Sequence, residues 1–359
     1  MNLNIYVNYF CFVIFFTLLF SFLIDLIIGD PKSDYHPVMI IGKTIDFFKN
    51  KFRTGKPRLD KFLGIVLLFL VIIIFCIPIY LLQIFIWQVW NLWDPYGWQT
   101  PSIISLLIVS AMMGFLLKWP FALKSLGQAT LPIGKALKDG DIMKARSNLS
   151  LIVRRDTQNL DQAHVISATV ECIAESSTDA TTSVIWFYLM GNLIGVLIFT
   201  FIQENVLWLF MGIPFAYMFR IINTADSVVG YKDEEHVNIG WFSARMDDLS
   251  NYIPSRLTVL FMLITGKIMR KDVKNAWKVL KLDRNSLESV NAGWTMGTMA
   301  GLLNIQLEKV GKYRLGIPNR ALLWIDIKSS FRIILLTVLL YSLIISIMVI
   351  LLINLIMIF

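Results

Sequence analysis

Apolar runs of membrane length alternate with shorter polar segments along this chain. A helix needs about 20 apolar residues to cross a bilayer core. The run 10–28 is broken only by Asp25 near its end, and 62–90, 101–117 and 333–358 are comparably clean. The run 184–222 is long enough for two crossings, 184–202 and 206–222, with Gln203, Glu204 and Asn205 at the tip. A shorter stretch, 253–268, contains Pro254 and Arg256 and joins two polar segments. Crossing there would put 267–284 on the other side from the remaining basic segments, so a re-entrant or interfacial helix is expected. The pattern predicts an all-α polytopic integral membrane protein of about five to six transmembrane helices. Re-entrant or interfacial helices and cytoplasmic helical segments complete it, as a single membrane-embedded domain over 1–359.

Composition agrees. Hydrophobic residues make up 56% and charged residues 16%, with a mean hydropathy of +0.65; a soluble domain carries about 25% charged residues. The net charge of +8 follows topology rather than nucleic acid, for which no partner role is expected. Lys and Arg gather in 29–61, 124–183, 267–290 and 306–332, and are missing from 1–9, 91–100 and 203–205. The positive-inside rule then places the basic segments in the cytoplasm and both termini outside. Residues 1–9 lack the positive start of a secretory signal, so the first span is expected to be retained. Trp87, Trp90, Trp93 and Trp98 crowd one end of the second span like an interfacial aromatic belt. Cys11, Cys76 and Cys172 show neither metal nor disulfide spacing and read as small apolar fillers. Gly293, Gly297 and Gly301 form a small-residue stripe suited to close helix packing.

Three polar clusters carry candidate chemistry. The first, 223–256, holds Asn223, Asp226, Tyr231, Arg245, Asp247, Asp248 and Asn251. Polar residues held against a membrane-embedded body are expensive, and are functional candidates for that reason. Adjacent carboxylates with an amide nearby suit Mg²⁺ shared with substrate phosphates, and Arg245 suits a phosphate. The run 232–235 reads as an exposed turn. The second cluster, 154–179, places Glu171, Glu175 and Asp179 at helical spacing along one face, with His164 on roughly the same face. Like charges so spaced need a positive partner, an Arg or a cation. Arg155 suits phosphate binding, while Asp156 or Thr157 can cap the helix. The third is Asp25, Asp30 and His36 in a turn stiffened by Gly29, Pro31 and Pro37. Walker A, dinucleotide-glycine, HExxH and GxSxG motifs are absent from the sequence.

Together these clusters resemble the adenosylcobinamide-phosphate synthase family of cobalamin biosynthesis (CbiB/CobD). The resemblance rests on DLIIGDPKSDYHPVMIIGKTI (25–45), RRDTQNLDQAHVISATVECIAES (154–176), RIINTADSVVGYKDEEHVNIGWFSARMDDLSNYIPSRL (220–257) and NAGW (291–294). It implies an amide-forming ligase in the cell membrane, joining adenosylcobyric acid to (R)-1-aminopropan-2-ol or its O-phosphate with ATP and Mg²⁺. On that reading Glu171, Glu175, Asp179, Asp226, Asp247 and Asp248 are catalytic, with Glu175, Asp247 and Asp248 as metal ligands. Asp30, His36, Arg155, Asp156, Asn223, Tyr231, Arg245, Asn251 and Asn291 would hold substrate or phosphate. The partners are the corrinoid, the amine and the lipid bilayer; a homo-oligomer stays open.

The chain departs from the family pattern in three places. AEN-[TS]-x-DG becomes AESSTDA, with Ser176 for Asn and Ala180 for Gly; SPNA becomes SVNA with Val290; and GGP-N-x-Y becomes EKVGKY (308–313). Two other readings remain open at this stage: a Mg²⁺-dependent membrane prenyltransferase and a non-enzymatic paralogue.

Overall fold

The computed structural model describes residues 3–31, 35–93, 102–202 and 206–358. Trp98 and the expected hairpin tip at 203–205 lie outside the described residues. Fourteen α-helices and one short hairpin follow in order among the described residues. α1 is Leu3–Ile28, α2 Pro37–Phe52, α3 Pro57–Trp93 and α4 Ile103–Lys118. α5 (Leu123–Lys138) and α6 (Ile142–Ser150) lead to α7, Gln162–Ser177. A π-helical turn, Thr178–Thr182, joins α7 to α8, Ser183–Ile202. After a 3-10 turn at Val206–Met211 come α9 (Gly212–Val229), α10 (Trp241–Ser250), α11 (Tyr252–Ile268), α12 (Val273–Asp283) and α13 (Ala292–Leu303). Strands β1 (Leu307–Lys309) and β2 (Tyr313–Leu315) pair antiparallel before α14, Ile325–Ile358.

Local sequence explains where the helices start and stop. The His36 ring accepts from the Val38 N–H while Pro37 opens α2 without needing a donor. Ser102, Asp141, Asp161 and Asp272 cap α4, α6, α7 and α12 through their side-chain oxygens. The cap of α7 is thus Asp161; Asp156 instead bonds Gln158 N–H, and the Thr157 hydroxyl donates to the Arg146 carbonyl. Asn304, at φ 55°, closes α13 in the left-handed conformation.

Among the described residues four helical stretches are long and apolar enough to cross a membrane: Tyr9–Ile28, Pro57–Trp90, Gln162–Phe201 and Ile325–Ile356. α4 and α5 make a fifth if they count as one broken span. These helices give an all-α multi-pass architecture. The third is longer than expected, because the stretch takes in α7 and the π-helical turn as well as α8. α9 and α11 are not among these stretches.

Packing groups the described residues into two compact units: those of 1–122, 184–249 and 344–359 in the first, and those of 123–183 and 250–343 in the second. In the first, α2, α3 and α9 bury Ile41, Ile45, Leu67, Val71, Ile221 and Val229 around Ile239. α1 lies close along α4 because position 114 is glycine; a Cβ there would fall 2.8 Å from the Phe20 Cβ. Trp87 and Trp90 are buried, and the Trp87 ring lies tilted against that of Phe210, 5.1 Å between centres, so only Trp93 of the described tryptophans in the expected belt is exposed. In the second unit the glycine stripe of α13 packs on α12. A Cβ at Gly301 would lie 2.4 Å from Ala276 Cα, and one at Gly293 2.4 Å from the Arg284 carbonyl.

Candidate functional site

In the first unit the polar residues of 220–248 gather where α9, the turn after it and α10 meet. Asn223, nearly buried, donates to an Asp247 oxygen at 3.1 Å and accepts from Arg220 at 3.4 Å. An amide between a guanidinium and a carboxylate is a fixed relay, because neither of its ends can rotate without losing a partner. Asp226 lies one turn further along α9. Its carboxylate presses on the backbone at Gly230, where a Cβ would meet Asp226 Oδ1 at 2.0 Å. Tyr231 donates to the Ser227 carbonyl at 3.0 Å and sets its ring against His236. Asp248 is half-buried, and that burial raises its carboxyl above the ordinary carboxylate range, against the opposing pull of Arg245 and Lys232. Arg245 itself is exposed. The run 232–235 is an exposed turn, as its composition predicts.

The same unit holds the third cluster. Asp30 accepts from His36 Nε2 at 3.2 Å and from Lys118 at 2.5 Å. Since His36 Nδ1 accepts from the Val38 N–H, the ring proton sits on Nε2, facing the carboxylate. Lys118 is 1% exposed and lies over the Trp119 ring at 4.4 Å. At the end of an apolar run, one lysine carries no sequence signal beyond an interfacial charge.

In the second unit Glu171 is buried and has a full set of donors. Arg155 pairs with it, the Ser167 hydroxyl donates at 2.7 Å and the Tyr313 hydroxyl at 2.9 Å. The positive partner required by the spacing of the carboxylates is therefore an arginine, Arg155. Ser167 also accepts from the Glu308 N–H at 2.7 Å, clamping the β-hairpin onto α7. Tyr313 is the final residue of EKVGKY, and that motif is the one sequence feature that points to it. Glu175 is exposed, and Asp179 is half-buried in the π-helical turn. Such turns insert a residue into the α-helical count and recur at functional sites. His164 stands 2.8 Å from Asp161 and 3.9 Å from Glu308, beside a cavity of about 300 Å³ that Ser167, Gln306 and Arg320 also line.

Two more candidates lie near the start of α11. Asn251, 1% exposed, accepts from the Ser183 hydroxyl at 2.6 Å. Asn291 accepts from Arg256 at 2.5 Å and from Ser255 at 3.3 Å. The Arg256 guanidinium rests 3.8 Å from the centre of the Tyr252 ring and 4.5 Å from that of Trp294.

Among the described residues no group of three or more His, Cys, Asp or Glu side chains is placed to hold a metal ion. Asp247 and Asp248 are consecutive on α10, so their side chains point roughly 100° apart and do not chelate as a pair.

The fold and these clusters define a multi-pass helical membrane protein with acidic and amide groups held at helix ends. The chain belongs to the CobD/Cbib protein family, whose model matches residues 18–333. It is 33% identical over 301 residues to the probable cobalamin biosynthesis protein CobD of Methanothermobacter thermautotrophicus, covering 84% of this chain and 86% of that protein. Against the cobalamin biosynthesis protein CobD of Dehalococcoides mccartyi the identity is 33% over 305 residues, 85% and 87% of the two chains. Against that of Clostridium perfringens it is 32% over 297 residues, 82% and 83%. No solved structure matches the chain. Membership of this family links the chain to cobalamin biosynthesis.

Proposed function

We propose that this protein joins a propionate carboxylate of adenosylcobyric acid to (R)-1-aminopropan-2-ol or its O-phosphate, using ATP and Mg²⁺. Family membership supports the pathway, and the half-buried Asp248 supports the chemistry. A carboxylate is a poor acyl donor, so it first attacks the terminal phosphate of ATP, giving an acyl phosphate and ADP. The amine then attacks the carbonyl carbon and inorganic phosphate leaves. The amine arrives as an ammonium and must lose a proton, which calls for a base whose proton affinity is lifted above that of a solvated carboxylate. Asp248 has that property. Asp247, fixed by Asn223, fits a ligand to Mg²⁺ held by the nucleotide phosphates; the ion supplies charge neutralisation there. Asp226 and Tyr231 flank the same corner.

Purified protein supplied with adenosylcobyric acid, ATP, Mg²⁺ and aminopropanol phosphate should yield a corrinoid amide with one ATP consumed per bond. Prenyl transfer in place of amide formation, or no product at all from folded protein, would overturn the reading. The lysine and arginine distribution supports placing 223–252 on the cytoplasmic side. A cysteine at the exposed Glu234 should then react with a membrane-impermeant thiol reagent only after the cells are opened.

A further inference from the structure

Arg256 and Arg284 share one aromatic ring. Their guanidinium carbons lie 4.5 Å and 5.3 Å from the centre of Trp294. Arg256 is held from several sides. Its Nη1 donates to the Tyr252 carbonyl at 3.0 Å, to Ser255 at 2.9 Å and to Asn291 at 2.5 Å, and its Nη2 to the Val290 carbonyl at 3.1 Å. All four acceptors are neutral. Among the described residues no carboxylate forms an ion pair with Arg256, although it is partly withdrawn from water. A guanidinium has five N–H donors, so Nε and one Nη2 hydrogen are left over from these bonds.

The ring faces of Trp294 and Tyr252 attract these cations, but the two like charges still repel each other, and an anion between them would remove that repulsion. Burial acts against the Arg256 cation first and the Arg284 charge adds to it, while the interaction with Tyr252 offsets part of that cost. By contrast Arg155, which the sequence suggests for phosphate, is already paired with Glu171. The planar fork of Arg256 and the exposed charge of Arg284 suit the oxygens of a phosphoryl group, which arginine binds through parallel N–H bonds.

We infer that Arg256, Arg284 and Trp294 form a binding site for a phosphoryl group, with Asn291 positioning Arg256. The identity of the molecule carrying that phosphate, a substrate of the synthase, rests on the function proposed above; binding itself does not. A phospholipid headgroup presents the same oxygens, and the experiment separates the two sources.

Inorganic pyrophosphate is titrated calorimetrically into the purified full-length protein in a neutral detergent. Retained phosphatidylglycerol is measured in parallel by native mass spectrometry after reconstitution with a mixture of phosphatidylcholine and phosphatidylglycerol. Arg284→Gln, at an exposed position, should weaken pyrophosphate binding roughly tenfold, the scale of one charged hydrogen bond, at an unchanged melting temperature. Arg256→Lys keeps the charge but not the fork and should fall between the wild type and Arg256→Gln. Loss of phosphatidylglycerol retention in Arg284→Gln, without pyrophosphate binding by the wild type, would assign the site to a lipid phosphate. Absence of both ligands from the wild type, or binding indifferent to both arginines, overturns the inference. Neither assay needs a corrinoid, so failure of amide synthesis and failure of this site are told apart.

Discussion

The hydroxyl of Tyr313 on β2 donates to the buried carboxylate of Glu171 on α7 at 2.9 Å, across 142 residues of sequence. With Arg155 and Ser167 it makes Glu171 the anchor of the hairpin rather than a carboxylate open to water. Tyr313→Phe should cost roughly 1.5–3 kcal/mol, the range for a hydrogen bond to a charged group. Glu171→Gln should cost more, since it leaves the Arg155 charge without its partner. Denaturation in detergent micelles measures both. A Glu171→Gln protein of wild-type stability would show that the network is not structural.

Asp248 should trade stability for function. Its carboxyl titrates above the unfolded value because burial disfavours the ionised form. Stability from this group is therefore present at pH below about 4 and lost as pH rises through the raised folded value. Asp248→Asn should be as stable as the wild type or more so at pH 7, with the difference vanishing in acid. Amide formation should fall at least about 100-fold, as expected on losing a general base. A variant both inactive and less stable at pH 7 would point to a packing role instead.

Asp161 behaves in the opposite sense. Hydrogen bonds from the His164 backbone, and secondarily its ring, hold this carboxyl below the ordinary range. Its contribution is present above pH ~4 and disappears as pH falls through the lowered folded value. Asp161→Ala should cost about 1 kcal/mol at pH 7. A melting curve at low pH should show little difference between the two proteins.

The sequence pattern revealed the spans, the glycine stripe and the clusters, because each is a local regularity. Positions 293, 297 and 301 recur at helical spacing, and two of the three prove to be close contacts with α12 or the residue after it. Partners distant in sequence were hidden. Tyr313 and Lys118 acquire meaning only when a hairpin or a turn is folded against them, and no periodicity announces that. The cap of α7 was misplaced for a related reason: Asp156, Thr157 and Asp161 are all good cap residues, and local propensity does not choose among them. Two belt tryptophans were lost to packing, since an amphipathic ring serves a protein interior as well as an interface.

The glycines of α13 should differ sharply in tolerance. A Cβ at Gly301 would meet the Ala276 backbone at 2.4 Å, whereas one at Gly297 would find its nearest neighbour, a side-chain carbon, at 3.9 Å. Gly301→Ala should cost about 1–3 kcal/mol by overpacking. Gly297→Ala should be neutral or slightly stabilising through helix propensity. Thermal unfolding of the two variants side by side distinguishes a packing seam from a uniformly permissive stripe.

Lys118→Met should destabilise the protein by roughly 3 kcal/mol, because the part-buried Asp30 carboxylate loses its ion pair with Lys118. Asp30→Asn combined with Lys118→Met should recover much of that loss. Equal stability of the single and double variants would mean that the pair is not coupled.

That ion pair also bears on how the chain is assembled. Asp30 leaves the ribosome 88 residues before Lys118. During that interval its carboxylate lacks this lysine, and the nearby His36 ring carries a full charge only when protonated. The lysine arrives as the last residue of α4. Maturation of this corner is therefore ordered in time: the acid waits at the end of the first span, and docking of a later helix satisfies it. A nascent chain arrested before Lys118 would hold Asp30 at the end of the first span without this ion pair.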